Sequence, residues 1–443
     1  MSDMHLSREL LRALAEGKMP PRAFLDLVLQ HLFELCPHCR SEWEAYQSER
    51  LHAPGGHAGA FALLPRLLDE HLPRLKREER SSARDFRELV RLPPEQRAER
   101  IVRSYRRFRT PALIERLIEE CRTRVTSSPR DAYHFADLAR LVAGQAPDSS
   151  AARELHSLAL GELANAARAG GDLVEADQIF VQARRIMMLG GVTDPRVAAR
   201  LDSLEGSLRK DQRRFGQAKE VLQRALFLYG TVGELREIAM ALMQLSAVLF
   251  QEGKAREALK AGKQVLEILK PGGDDACLYL AARRNLALYM VDLGHLDEAL
   301  AIVDADESTH RIFGQPLFQI RYTWIRGRIA SGKGDLPAAE AYFREARDTF
   351  IAAGIGYDAA MVSLDLALAY LQAGRPYETR KLAQEIAPIF ETQDVQREAF
   401  AALLLFRDAA ERETLTVGFV RELTAYLEAA RVDSSLRFSP RAF

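Results

Sequence analysis

The chain has 443 residues, which is the length of roughly two or three ordinary domains or of one long repeat array. Hydrophobic residues make up 47% of it, which excludes a disordered protein, and four cysteines are too few for a disulfide scaffold. The 62 Lys and Arg residues balance the 62 Asp and Glu residues, and no apolar run resembles a membrane span or a signal peptide, so we expect a cytoplasmic protein without a membrane partner.

Residues 1–50 predict a small helical module. Ser7 is suited to cap a first helix that ends at Gly17, and Pro21 suits the first turn of a second helix that runs to about Leu35. A helix near this point would place His31 close to the Cys36–Cys39 pair that follows it.

Two histidines and two cysteines in this module have the composition of a metal site. They are His5, His31, Cys36 and Cys39. Two thiolates and two imidazoles satisfy the tetrahedral preference of structural zinc and leave no position open for catalysis. A module of this size has a small core, and zinc can supply on the order of 10 kcal/mol of folding free energy. The alternative is that the cysteines are half-buried hydrophobic residues and the histidines are incidental.

The same segment resembles the zinc-binding domain of bacterial anti-sigma factors. That domain carries an upstream Cys or His followed by H-x3-C-x2-C, whereas four residues separate His31 from Cys36 here. The resemblance implies structural zinc and, as one candidate partner, a sigma factor. Redox chemistry of the C-x2-C pair is disfavoured because no βαβ pattern surrounds it.

Residues 51–130 predict a linker followed by a basic helical connector. The stretch 74–109 contains thirteen Lys or Arg residues and six Asp or Glu residues. Its arginines surround apolar residues on a helix that starts after Pro93 and Pro94. We interpret it as a solvated basic face whose apolar side packs on the following helices. The alternative is that Arg103, Arg106 and their neighbours contact phosphates or an acidic partner.

Residues 131–443 predict a helical-repeat domain. A turn followed by a short helical phrase recurs six times, with equivalent positions at residues 176, 218, 258, 299, 339 and 379, so the period is 40–42 residues. Apolar stripes of helical spacing lie on both sides of each turn, which predicts helical hairpins. Gly171, Gly253, Gly294, Gly334 and Gly374 occupy the turn, where a left-handed residue can end the first helix.

Further helices are predicted on both sides of the repeats. The ranges 132–142 and 151–169 show helical spacing before the first clear turn. The ranges 395–411 and 417–430 are predicted to cover the exposed end of the last hairpin, because a terminal repeat needs a cap.

These residues resemble the tetratricopeptide repeat, which has a small residue in its first helix, Gly at the turn, and a large apolar residue between two alanines in its second helix. Gly206 and Gly327 fall on the small position, and Leu222 and Phe343 fall on the large one. The period exceeds the usual 34 residues, as in some bacterial peptide-sensing regulators. The resemblance implies an all-α fold in which a right-handed α-solenoid of about six hairpins follows the small N-terminal module in the sequence.

The resemblance also implies a binding groove lined by the first helix of each hairpin. Its predicted centre comprises Arg284, Asn285, Arg321, Trp324 and Arg328. Several guanidinium groups beside a Trp suit an acidic or C-terminal carboxylate ligand, because Arg binds carboxylates in a bidentate manner. The layout also assigns Asn165, Arg168, Arg200, Lys210, Met243 and Met361 to the groove. The alternative is that these side chains pair with acidic residues of adjacent helices.

No catalytic motif was found. The chain lacks a phosphate-binding G-x4-GK[ST] loop, H-E-x-x-H and G-x-S-x-G. The sequence therefore predicts a non-enzymatic bacterial regulatory or scaffold protein that holds a protein or peptide in its groove. The alternative is a transcription regulator that sequesters a sigma factor through the N-terminal module or contacts DNA through the basic helix, with nucleic acid the less favoured partner.

Overall fold

The computed structural model describes part of the chain. The described residues are 39, 41, 42, 45, 63–104, 107–125, 127–146, 149–190, 194–269, 275–313, 316–353, 355–391, 397–411, 414–430 and 438. They form 18 α-helices and contain no β-strand. This confirms the all-α prediction. None of these helices is both long and apolar enough to cross a membrane.

The chain divides into two compact units. The first comprises Met1–Leu208 and Gln217–Ala241, and the second comprises Arg209–Gly216 and Leu242–Phe443. The first nine helices are α1 (Leu63–Arg91), α2 (Pro94–Arg103), α3 (Pro111–Arg124), α4 (Pro129–Gly144), α5 (Ser150–Ala169), α6 (Leu173–Gly190), α7 (Pro195–Asp211), α8 (Phe215–Val232) and α9 (Leu235–Gln251). The remaining nine are α10 (Ala255–Ile268), α11 (Ala276–Asp292), α12 (Leu296–Phe313), α13 (Pro316–Gly332), α14 (Leu336–Ala352), α15 (Gly356–Gln372), α16 (Pro376–Glu391), α17 (Arg397–Glu411) and α18 (Val417–Ala430).

Helices α5 to α16 form the six predicted hairpins. We call the first helix of each hairpin, from α5 to α15, helix A, and the second, from α6 to α16, helix B. The two helices of a hairpin pack together, as α5 does with α6 and α13 with α14, and the next hairpin follows directly, as α14 packs on α15. Within each unit, a hairpin buries its apolar face against its neighbour, which is the construction of a helical-repeat protein.

A left-handed residue ends helix A in every hairpin. The five predicted turn glycines have φ between 68° and 91°, a conformation that glycine adopts without a Cβ penalty. In the second hairpin Arg213 takes this role with φ 56°. The backbone N–H groups after the turn close back onto helix A, as in the 2.9 Å bond from Asp335 to the Ala330 carbonyl oxygen. The turn positions were therefore predicted correctly.

The small helix A positions receive the large helix B side chains. A Cβ added to Gly206 would lie 2.6 Å from Leu222, and one added to Gly327 would lie 2.7 Å from the Phe343 ring. Leu222 and Phe343 are 0% and 1% exposed, respectively. The contact that the repeat pattern predicted is therefore present, and it brings helices A and B within van der Waals distance.

Helices on both sides of the hairpins complete the cores. In the second unit, α17 packs on α16 and α18 packs on α15. Phe406 and Leu423 of these two helices are buried in the same apolar cluster as Phe343. In the first unit, α3 and α4 pack on α5. The bounds of α4, α5, α17 and α18 agree with the predicted helices to within a few residues.

Candidate functional site

The A helices of the second unit bring the predicted groove residues together. Helix α11 packs against α13, and α13 packs against α15. Arg284 and Asn285 lie on α11, while Arg321, Trp324 and Arg328 lie on α13. All five side chains are half-buried. The five residues therefore lie on two A helices, α11 and α13, that pack against each other.

Trp324 and Arg328 share one carboxylate of the next A helix. The indole Nε1 of Trp324 donates a hydrogen bond to Asp365 Oδ2 at 2.6 Å, and Arg328 Nε donates to the same oxygen at 2.6 Å. The guanidinium group of Arg328 also lies 5.3 Å from the centroid of the Trp324 ring. The pKa of Arg328 is raised, because the stabilising effect of the Asp365 carboxylate exceeds the opposite effect of burial. Asp365 thus holds both side chains through hydrogen bonds, and the positive charge of Arg328 is matched within the chain.

Arg284 and Arg321 form a second group on the adjacent helices α11 and α13. Arg321 Nη2 lies 3.5 Å from Asp358 Oδ2, and its side chain is 40% exposed. Arg284 Nη2 donates a 3.3 Å hydrogen bond to Asn285 Oδ1. Burial and the nearby positive charge of Arg321 lower the pKa of Arg284. Two guanidinium groups from adjacent A helices therefore lie near each other in this part of the second unit.

The corresponding region of the first unit is a buried ion cluster. Glu162 of α5 accepts hydrogen bonds from Arg122 of α3 at 2.7 Å and from Arg200 of α7 at 2.9 Å. The Glu162 side chain is fully buried. Burial would raise its pKa, but the two arginines overcome this and lower it. Arg200, which the sequence assigned to the groove, is thus paired within the chain, as the alternative interpretation states.

The acidic partners were not singled out from the sequence. They are Glu162, Asp358 and Asp365, and each lies on an A helix next to the one that carries its arginine. The hydrogen-bonded pairs with Glu162 and Asp365 are separated by 37 to 41 residues. That separation is one repeat period, so the period was the signal that could have found them.

The basic connector is largely paired with acidic residues of α1. Arg107 donates to the buried carboxylate of Asp85 at 2.9 and 3.1 Å, and Arg100 donates to Glu88 at 2.7 and 3.0 Å. The pKa of Glu88 is lowered by these arginines, with Arg100 the larger cause. Arg106 lies outside the described residues. The pairing supports the interpretation of the segment as a structural connector, and DNA binding by it stays a prediction.

The predicted zinc site lies mostly beyond the described ranges. His5, His31 and Cys36 are outside them, while Cys39 is described and buried. Within the described ranges no group of three or more metal-ligating side chains occurs. The zinc site therefore stays a prediction from the sequence.

Comparison with known proteins shows the fold. No protein-family model and no curated protein matches the chain. A solved structure of a Rap protein complexed with competence and sporulation factor is similar with a TM-score of 0.55 and 12% identity, over 72% of this chain and 87% of that one.

Two further solved structures share the architecture. A signal transduction ATPase with numerous domains that carries a tetratricopeptide repeat sensor, from Pyrococcus horikoshii, has a TM-score of 0.52 and 14% identity, over 96% of this chain and 64% of that one. Aspartyl phosphate phosphatase F from Bacillus subtilis has a TM-score of 0.50 and 12% identity, over 89% of this chain and 97% of that one. At such identities the similarity shows the fold alone, a helical repeat of the tetratricopeptide type.

Proposed function

We propose that this chain is a non-enzymatic regulatory protein that binds a protein or peptide segment on the A helices of its second unit. The observation that carries the proposal is that Arg284 and Arg321, on adjacent A helices that pack together, lie close enough that burial and the charge of Arg321 together lower the pKa of Arg284. Two neighbouring guanidinium groups suit an acidic side chain or a terminal carboxylate of a ligand, because Arg binds carboxylates through two parallel hydrogen bonds. The Rap structure, a complex with competence and sporulation factor, supports the use of this fold for such binding.

The role of Trp324 and Arg328 in this proposal is to give the site a fixed shape. Their shared hydrogen bonds to Asp365 hold the indole ring in one orientation. A rigid aromatic ring beside a charged pair makes large contact area at little entropic cost, which is why Trp and Arg dominate binding hot spots. Because Arg328 is already paired, we assign the recognition of ligand charge to Arg284 and Arg321.

The proposal is tested with peptides selected from a random library on the wild-type protein. Arg284→Gln and Arg321→Gln should each weaken the selected peptides by about 2 kcal/mol, or about 30-fold in Kd, because each removes one guanidinium group from the site. Fluorescence anisotropy of labelled peptides measures the change. Thermal melting checks the fold of both variants, so that a loss of binding is not mistaken for a loss of structure.

Lys260→Ala is the matched control. Lys260 is exposed on α10, a B helix of the same unit, so its removal should not change the Kd. Selected peptides that bind all three variants equally would exclude the A helices as the site. Failure to select any peptide from an acidic-rich library would contradict the proposed ligand class.

The zinc site is proposed on the sequence and is tested separately. The full chain, prepared without a chelator, should contain one equivalent of zinc by elemental mass spectrometry, because four thiolate and imidazole ligands form a closed tetrahedral site. Cys36→Ser and Cys39→Ser should each lose the metal, whereas Cys277→Ser, which changes an exposed cysteine of α11, should retain it. Wild-type protein without zinc would refute the site.

A further inference from the structure

Helix α6 presents a row of large apolar side chains to solvent. Val174, Val181 and Met188 are 69%, 64% and 78% exposed, and the neighbouring Leu189 is 75% exposed. Residues seven apart lie on the same side of a helix, two turns from each other. The other side of α6 is buried through residues such as Ala176. The row therefore adds nothing to the core of the first unit and is available to another surface.

The other B helices do not carry this feature. In α6, Val174 and Val181 lie three and ten residues after the left-handed turn residue Gly171. The residues at the same distances in the other five hairpins are Gly216 and Gln223, Arg256 and Lys263, Asp297 and Asp304, Pro337 and Arg344, and Tyr377 and Gln384. Only α6 has two aliphatic residues there. The repeat fold does not require apolar residues at these positions, so their presence on α6 calls for a separate cause.

A large aromatic side chain is exposed on another B helix of the same unit. Phe227 of α8 is 72% exposed. Arg184 of α6 and Arg224 of α8 both bind the carboxylate of Asp202 on α7, which lies between them in the chain. An exposed row of large apolar side chains such as that on α6 is uncommon on monomeric proteins and marks an interaction site.

We propose that this face is a homodimer interface in which α6 packs antiparallel against α6 of a second copy, on a two-fold axis at Val181. In this arrangement residues equally distant from Val181 lie opposite each other. Val174 then faces Met188, and Asp177 faces Arg185, so apolar residues meet apolar residues and opposite charges meet. A symmetric interface has to be complementary to itself in this way.

Parallel pairing does not give the same match. It would place Arg185 opposite Arg185 and Asp177 opposite Asp177, and like charges in close contact are destabilising. Arg185 is exposed on α6, so its guanidinium group is accessible to a second copy. Charge complementarity therefore selects the antiparallel dimer. The inference concerns α6 of the first unit and does not rest on the peptide site of the second unit.

Analytical ultracentrifugation of the full chain tests the proposal. The wild type should sediment as a dimer, and Val181→Glu should raise the dimer Kd by about 100-fold or more, because it places two carboxylates against each other on the axis. The exposed position should tolerate the change, which circular dichroism checks. Lys263→Glu, at the equivalent position of α10, should leave the dimer intact. A monomeric wild type, or a dimer unaffected by Val181→Glu, would overturn the proposal.

A cysteine cross-link tests the position of the axis. In a Cys277→Ser background, Val181→Cys should give a disulfide-linked dimer when copper phenanthroline and dioxygen oxidise the two facing thiols. Lys263→Cys in the same background should give none beyond the parent protein. A dimer that forms without this cross-link would overturn the antiparallel arrangement, and a cross-link at both positions would show only random collision and overturn it equally.

Discussion

Arg200→Ala is expected to lower the free energy of unfolding of the first unit by about 3 kcal/mol, because it removes the guanidinium group that bonds both oxygens of a buried carboxylate and leaves Arg122 alone to compensate that charge. Glu162 is fully buried, and Arg200 bonds both of its carboxylate oxygens at 2.9 and 3.2 Å. Arg122 bonds one of the same oxygens but is 34% exposed and cannot replace the second guanidinium group. Hydrogen exchange of the α5 amides measures the loss.

Two comparisons separate the buried charge from loss of side-chain packing. Glu162→Gln combined with Arg200→Ala should recover part of the stability, because no full charge then remains buried. Arg103→Ala breaks an exposed ion pair with Glu99 in the same unit and should cost less than about 1 kcal/mol. Equal losses from Arg200→Ala and Arg103→Ala would contradict the expected effect.

The same cluster gives the first unit a defined response to acid. The pKa of Glu162 is lower in the folded chain than its ordinary value of 4.5, so the unfolded chain binds more protons at acidic pH. The contribution of Glu162 is therefore complete above about pH 4.5 and disappears as the pH falls through its lowered pKa. The protection factors of the α5 amides, which correct for the intrinsic pH dependence of exchange, should fall in this range, and the Glu162→Gln variant should show a weaker dependence on pH.

Phe343→Ala is expected to lower the free energy of unfolding of the second unit by about 3–5 kcal/mol, the usual cost of emptying a buried aromatic site. The ring is 1% exposed and lies against Gly327, which has no side chain to fill the cavity. Hydrogen exchange of α13 and α14 amides, or denaturant unfolding of the whole chain, measures the change.

Tyr377→Ala provides the control for this second change. Tyr377 is an aromatic residue on another B helix of the same unit and is 72% exposed. Its removal should change stability by less than about 0.5 kcal/mol. A loss from Phe343→Ala no larger than that from Tyr377→Ala would mean that the contact with Gly327 does not hold helices A and B together.

The hairpins could be predicted because their signals are local. Apolar spacing and a glycine at a fixed position depend on a few consecutive residues, and the observed helices follow them closely. A glycine is not required at this turn, because Arg213 adopts the same left-handed conformation with φ 56° in the second hairpin. The surrounding helices impose the turn there, at the cost of some strain.

The candidate site could be predicted only in part. Arg321 and Trp324 were placed on helix A correctly. Their acidic partners lie one repeat away in the sequence. To choose among the acidic residues of that repeat, one must know how both helices are oriented about their axes. The exposed row on α6 was missed for a related reason. Val174 and Val181 follow the same helical spacing as the apolar residues of the core, so spacing alone does not distinguish them. Their distance from the left-handed turn residue Gly171 is what shows that they face outward.

The ion pairs between successive A helices restrict how such a chain can evolve. Repeat arrays usually grow and shrink by duplication or loss of whole units, since each unit contacts only its neighbours. Here Asp365 takes its partners from the hairpin immediately before it, and Glu162 takes arginines from the helices on both sides. Inserting or deleting a hairpin at these junctions would leave charges without partners, so the order of these hairpins is fixed by their charges.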